Sequence, residues 1–325
     1  MGFEIPVEKY SGTIREVTIG ATSEQGGTRS NTVTIGGSTA LPFLFFEGVH
    51  PNRPALAMEV FDKIPARYPA TLLDYYGDVI DRPADMAKKC VEQYGAELIS
   101  VRLDGTHPEK GDRSAEQAAE VVRQVLESVK VPLLITGHSH YEKINDVMKK
   151  VCEVAAGENC LINYVETDNY KTIAAACMAY NHCVVAQTPI DVNMAKQLNI
   201  LLADMNFPRE KIVIDPLTGA LGYGLEYTYS IMERIRIDGL GGDPMLAFPM
   251  LINPGYECSR VKEARVPEED YPDWGDAKSR SAYWETATAM SLLTAGSELI
   301  VMYHPEAMKT VKKNIDELYS IESGN

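Results

Sequence analysis

Pro132-Leu-Leu-Ile135, Leu161-Ile-Asn-Tyr-Val165, Cys183-Val-Val-Ala186 and Ile212-Val-Ile214 are four short apolar runs. Each is hydrophobic on both faces and rich in leucine or β-branched residues, as a strand buried within a parallel sheet must be. Each is followed by residues of helical period, most clearly Tyr141 to Val154 and Val192 to Met205. The same rhythm continues outward. Leu56-Ala-Met-Glu-Val60 and Leu98-Ile-Ser-Val101 precede this stretch; Phe248-Pro-Met-Leu-Ile252 and Leu299-Ile-Val-Met302 follow it. Helical periodicity recurs at Ser114 to Val129 and Ser281 to Ala295. After the first run it comes late, at Pro83 to Tyr94, where Pro83 suits a first turn that needs no N–H. Eight strand–helix units in series predict an α/β fold, a (β/α)8 TIM barrel over residues 55–325. A doubly wound open sheet would call for a glycine-rich turn after its first strand, and none is present.

Residues 1–54 read differently. Thr13-Ile-Arg-Glu-Val-Thr-Ile19 and Thr32-Val-Thr-Ile35 alternate polar and apolar residues around a turn-rich loop, Gly20 to Ser30. This predicts a β-hairpin and connecting segment packed on the barrel, because a hairpin alone is not stable. The loop glycines are not followed by Gly-Lys-Ser/Thr, so they do not make a phosphate loop.

The chain has 325 residues and a net charge of 31 − 46 = −15. So acidic a surface repels phosphate backbones and anionic membranes, which argues against nucleic acid or a membrane as partner. No apolar run reaches the roughly 20 residues that span a bilayer. Met1-Gly-Phe-Glu-Ile-Pro6 lacks the basic-then-apolar layout of a signal peptide, so a cytoplasmic location is expected. Cys90, Cys152, Cys160, Cys177, Cys183 and Cys258 are scattered through apolar segments with no Cys-x-x-Cys pair. That pattern predicts free buried thiols rather than an iron–sulfur or zinc site.

Chemistry in such a barrel sits on the loops after the strands. Here those ends carry Glu59 and Asp62; Arg102-Leu-Asp104-Gly-Thr-His107; Thr136-Gly-His-Ser-His140; Asn163; Gln187-Thr188; Asp215; Asn253-Pro-Gly-Tyr256; and Tyr303-His304. His138 and His140, spaced to share a face, suggest the device of metal-dependent hydrolases. The other strand ends offer too few histidines to complete a ligand set, and no metal is expected. Asp104 and Asp215 fit either acid–base roles or the orientation of loops through backbone N–H groups. No nucleophile elbow, Walker sequence or dinucleotide fingerprint occurs. The stretch from Pro254 to Lys278 is longer than a minimal barrel needs. Its Tyr256, Tyr271 and Trp274 predict an ordered lid or contact surface.

The ordered series from Thr136-Gly-His-Ser-His140 through Leu161-Ile-Asn-Tyr-Val-Glu-Thr-Asp-Asn-Tyr-Lys171, Ala186-Gln-Thr-Pro-Ile-Asp-Val-Asn193 and Ile214-Asp-Pro-Leu-Thr-Gly-Ala-Leu-Gly-Tyr-Gly224 to Asn253-Pro-Gly-Tyr-Glu257 resembles the small subunit of the corrinoid/iron–sulfur protein. That family is also called the delta subunit of acetyl-CoA decarbonylase/synthase. The resemblance covers essentially the whole chain. It implies a heterodimeric methyl carrier of the reductive acetyl-CoA pathway. In that carrier a corrinoid lies at the interface with a large subunit, which also holds the [4Fe-4S] cluster. The methyl group would come from methyltetrahydrofolate through a methyltransferase and go to carbon monoxide dehydrogenase/acetyl-CoA synthase. The barrel mouth would cap the corrinoid, with Arg102, Asp104, Thr136, His138, Asn163, Gln187, Thr188, Asp215 and Asn253 as its contacts and no catalytic residue in this chain. The barrel is also similar to pterin-binding methyltransferases, with Asp104, Asn163, Asp215 and Asn253 at comparable places. That resemblance implies the alternative of direct methyltetrahydrofolate binding.

Overall fold

A computed structural model of the chain describes residues 5–320; the first four residues of the Met1–Pro6 stretch lie outside it. The strands are β1 (Val17–Ile19), β2 (Val33–Ile35), β3 (Ala55–Phe61), β4 (Leu98–Arg102), β5 (Leu133–Thr136), β6 (Leu161–Val165), β7 (Cys183–Gln187), β8 (Ile212–Asp215), β9 (Met250–Ile252) and β10 (Ser297–Met302). β3 to β10 form a closed parallel barrel in chain order, sealed by β10 against β3 through Leu299↔Ala55 and Met302↔Met58. Helices fall between the strands, so the predicted TIM barrel is the observed fold.

All eight expected runs are barrel strands, with no end shifted by more than two residues. Helix starts follow local chemistry. Ser114 and Gln117 make a reciprocal capping box at Ala115–Ser128, and the Asp191 side chain accepts the Met194 N–H at Val192–Asp204. Periodicity does not mark the first helix after β3. Ala70–Tyr76 fills the gap before Pro83–Glu92, entered at Pro69 and closed at Gly77. A seven-residue helix between proline and glycine offers too few periodic positions to stand out. The helix expected from Ser281 begins at Ala277, where the Asp276 carboxylate caps the Ser279 N–H at 2.7 Å.

Because successive strand residues alternate faces, every second one points into the barrel. The lower interior is apolar: Ala57, Leu98, Leu134, Leu161, Val185, Val213, Leu251 and Val301 pack together. Val17, Ile19 and Ile35 join the same cluster and are wholly buried. The antiparallel β1–β2 hairpin therefore plugs one end of the barrel. Its anchors lie just before β5 and β6. Gly20 N–H donates to Asn159 O at 2.8 Å. Arg29 donates to the carbonyls of Leu126 and Val129 and pairs with Glu158 at 2.8 Å. That end is opposite the mouth, which leaves the mouth clear.

Candidate functional site at the barrel mouth

Two residues further along each strand, or four on β4 where Ser100 intervenes, the same inward positions become polar. Glu59, Arg102, Thr136, Asn163, Gln187, Asp215, Asn253 and Tyr303 form an upper layer above the apolar plug. All eight are buried. All of these except Glu59 and Tyr303 line a mouth cavity of about 430 Å3, together with Asp104 and His138. Eight of the nine expected contact residues thus converge. Thr188 lies one position beyond and faces away. It is buried, its N–H donates to the Asp215 carbonyl at 3.0 Å, and its hydroxyl has no hydrogen-bond partner among the described residues.

Glu59 ties this layer together. It accepts from Arg102 Nε at 2.5 Å, Tyr303 OH at 3.0 Å, Ser100 Oγ at 3.1 Å and Asn253 Nδ2 at 3.3 Å. A buried carboxylate is tolerated only when paired and hydrogen-bonded, and this one is both. Burial opposes the charge on Arg102, but Glu59, Tyr303 and Asp104 outweigh it and hold its pKa above the ordinary value. The Arg102 guanidinium also lies 4.2 Å from the Tyr256 ring centre, and that of Arg260 5.0 Å. Glu59 was read in the sequence as a strand end and not as part of the site. The available signal was an acidic residue inside a run otherwise buried on both faces.

The two aspartates differ. Asp104 is held by Lys110 at 2.5 Å, with Arg102 4.0 Å away. Asp215 accepts the Leu217 N–H at 2.9 Å, and burial pushes its pKa up to about 7, with Glu257 and Glu166 adding to the rise. Asp62 behaves similarly: burial raises it to about 6, against the Gly105 N–H at 2.8 Å, and its second oxygen has no hydrogen-bond partner among the described residues, with Arg113 3.8 Å away.

His138 uses both ring nitrogens on the protein. Thr106 gives its hydroxyl proton to Leu103 O at 2.7 Å, so it accepts from His138 Nε2–H at 2.9 Å, while Nδ1 accepts the His140 N–H at 3.2 Å. That assigns the neutral Nε2–H tautomer from the network. Burial and the neighbouring His107 push its pKa down to about 4. His140 caps the Tyr141–Val154 helix, and its ring lies 6.5 Å from that of His138. Among the described residues no three His, Cys, Asp or Glu side chains are grouped to hold a metal ion. The six cysteines are all buried and free, with Cys152 and Cys177 in contact at 4.0 Å.

At β6 the pairing with β7 shifts register between Ile162 and Val165. This irregularity puts Tyr164 at φ 90°, a strained value for a tyrosine, and Tyr164 lines the cavity. Asn163 Oδ1 accepts the Tyr164 N–H at 2.7 Å, and Asn169 Nδ2 donates to its carbonyl at 2.9 Å. Across the mouth Asn253 Oδ1 accepts the Tyr256 N–H at 2.9 Å and starts a short helix, Pro254–Cys258. The long segment that follows is ordered as Lys262–Arg265 and two 3-10 turns. There Tyr271 and Trp274 stack at 4.2 Å beside Lys262. Tyr256 belongs to the mouth, and Trp274 remains 38% exposed.

Residues 16–266 match the family model described as CO dehydrogenase/acetyl-CoA synthase delta subunit. The acetyl-CoA decarbonylase/synthase complex subunit delta of Archaeoglobus fulgidus is 40% identical over 99% of this chain and 72% of its own length. That of Methanocaldococcus jannaschii is 36% identical over 96% and 76%. Among solved structures the barrel is similar to dihydropteroate synthases. The Xanthomonas albilineans enzyme in complex with 7,8-dihydropteroate has a TM-score of 0.57 at 14% identity, over 88% of this chain and 100% of that one. The Stenotrophomonas maltophilia enzyme gives 0.57 at 16%, over 86% and 96%. These structural likenesses speak for the fold alone.

Proposed function

The chain belongs to the CO dehydrogenase/acetyl-CoA synthase delta subunit family, and from that premise we propose that its barrel mouth is a rigid cap over a corrinoid held by a larger partner subunit. Within the acetyl-CoA decarbonylase/synthase complex the chain would serve methyl transfer from methyltetrahydrofolate, through a methyltransferase, to carbon monoxide dehydrogenase/acetyl-CoA synthase. The observation that carries this reading is that most of the buried polar groups of the mouth are spent on one another. Glu59 holds Arg102 and Asn253, Lys110 holds Asp104, and Thr106 holds His138. Such a surface positions and shields, and Asp215, which accepts the Leu217 N–H, is the one buried carboxylate lining the mouth without a cation within 4.0 Å among the described residues. The residues fit the edge of a corrin ring, whose amide side chains donate and accept. Gln187 Oε1 is a buried acceptor with no partner among the described residues. Arg102, Thr136, Asn163 and Asn253 would add donors around it, with Asp104, His138 and Asp215 completing the set; Thr188 faces away from it. When bound, a corrinoid supplies the cobalt that carries the methyl group.

The test replaces Asp104, His138 and Asp215 singly with alanine in the assembled complex. Methyl transfer is then followed from the folate side and to the synthase side. Losses of about tenfold or less per site are expected of positioning residues. A loss of roughly 10⁴-fold at one site, with the corrinoid still bound, would make that residue an acid–base catalyst and overturn the cap.

A second reading rests on the likeness to dihydropteroate synthases, one of them solved with 7,8-dihydropteroate. Asn163, Asp215 and Asn253 could hold a pterin, with Asp215 able to donate as a neutral acid near pH 7. Saturable binding of methyltetrahydrofolate by this chain alone would favour it over the cap.

A further inference from the structure

The mouth opens sideways into a second pocket of about 370 Å3, and the two share Asp104, Glu109, Lys110, Tyr256 and Arg260. The new wall comes from the loop after β3. It contributes an apolar floor, Ile64-Pro65-Ala66, flanked by two cations, Lys63 and Arg67. Both volumes lie in the range of about 300–1,000 Å3 usual for small-molecule sites.

The charges in this side pocket do not cancel. Its carboxylates are Asp104 and Glu109. Asp104 is engaged by Lys110 at 2.5 Å, and Arg260 has Glu257 at 3.4 Å. Arg67 has no carboxylate within 4.0 Å among the described residues, and Lys63 donates only to the backbone carbonyl of Lys110. Two uncompensated cations therefore face an apolar-floored pocket in a chain whose net charge is −15. General surface charge does not account for this local reversal of sign. A guanidinium and an ammonium on either side of an apolar floor suit an oxyanion at the end of a hydrophobic stem, the guanidinium binding it by two parallel hydrogen bonds.

We propose that Lys63 and Arg67, with Arg260 and Lys110 on the opposite wall, form an oxyanion subsite beside the mouth. It takes the carboxylate or phosphate tail of an amphipathic small molecule whose head enters the mouth. The subsite goes beyond the capping role and stands whether or not a corrinoid lies over the barrel.

The test is calorimetric titration of the full chain at low ionic strength with two probes, N-benzoylglutamate for a carboxylate tail and phenyl phosphate for a phosphate tail. At least one probe should bind saturably, and added salt should weaken it. Tighter binding of the first identifies the tail as a carboxylate; tighter binding of the second identifies it as a phosphate. Lys63→Glu and Arg67→Glu should each weaken the favoured probe by about tenfold or more, because each turns an attraction into a repulsion. Lys130→Glu, an exposed change beside the hairpin at the opposite end of the barrel, should leave binding unchanged. Circular dichroism checks folding, and Arg67→Gln replaces any charge reversal that unfolds. The subsite is overturned if neither probe saturates below about 10 mM, a free energy under roughly 3 kcal/mol. It is equally overturned if Lys130→Glu weakens binding as much as Arg67→Glu does.

Discussion

Four side chains converge on the carboxylate of Glu59, and the Arg102 charge depends on it. Removing one partner of a buried pair leaves the other uncompensated, which costs about 3–5 kcal/mol. Glu59→Ala should therefore lower the denaturant midpoint steeply, whereas the exposed pair Arg123–Glu127 should be worth under about 1 kcal/mol. Urea unfolding of Glu59→Ala and Glu127→Ala side by side reads the contrast. If the two variants lost the same amount, Glu59 would not be the keystone of the mouth.

Asp215 makes a pH-dependent prediction at the same scale. Its folded pKa, about 7, lies above the 3.8 of a free aspartate, mainly because of burial. The folded state then holds a proton that the unfolded chain has lost. The stability this provides is complete below about pH 4 and disappears as pH rises through 7. Asp215→Asn, which can still accept the Leu217 N–H, should gain on the parent between about pH 4 and 7 and keep a constant lead above that. His138 works in the opposite direction. Its pKa is pushed down to about 4, so its contribution is present above 6.5 and fades as pH falls through 4. Unfolding free energies of parent and Asp215→Asn across pH 4–9 would expose a wrong sign at once.

At the scale of elements, the hairpin separates what the sequence discloses from what it withholds. Alternation along Thr13–Ile19 and Thr32–Ile35 says that one face is buried, but period alone cannot name the surface that covers it. The covering surface is the lower interior of the barrel, brought together from all eight of its strands. The polar upper layer was legible because strand ends are identifiable one at a time. Its internal wiring was not, since Glu59 and Asn253 are 194 residues apart in the chain. Tyr164 was also hidden, because a register shift between neighbouring strands leaves no compositional mark. Ile19 is wholly buried in the plug. Ile19→Ala should cost about 2–5 kcal/mol by leaving a cavity, although the residue lies outside the barrel sheet. A thermal scan that left the midpoint unmoved would show a hairpin merely resting on the surface.

For the whole molecule, the question is which surface meets the other subunits of the complex. The chain is at least 34% identical to delta subunits of a multi-subunit complex along nearly its full length, so some of its exterior must be covered there. The segment after β9 is a strong candidate. Tyr271 and Trp274 stack at an interplanar angle of 21°, and Lys262 and Arg280 lie over the Trp274 ring at 5.5 and 5.7 Å. This presents a rigid aromatic face that loses little side-chain entropy on binding. Trp, Tyr and Arg dominate the residues that carry binding energy at interfaces. Trp274 is too exposed to be a core residue, and its truncation should leave the unfolding midpoint within about 1 kcal/mol of the parent. If the stack anchors the partner, the same truncation should weaken association by about 2 kcal/mol or more, roughly thirtyfold in the dissociation constant. Co-expression of Trp274→Ala with the proposed large subunit, followed by sedimentation at graded dilution, measures this. Association unchanged at every dilution would move the interface elsewhere on the barrel, and a matching loss of stability would make Trp274 part of the fold instead.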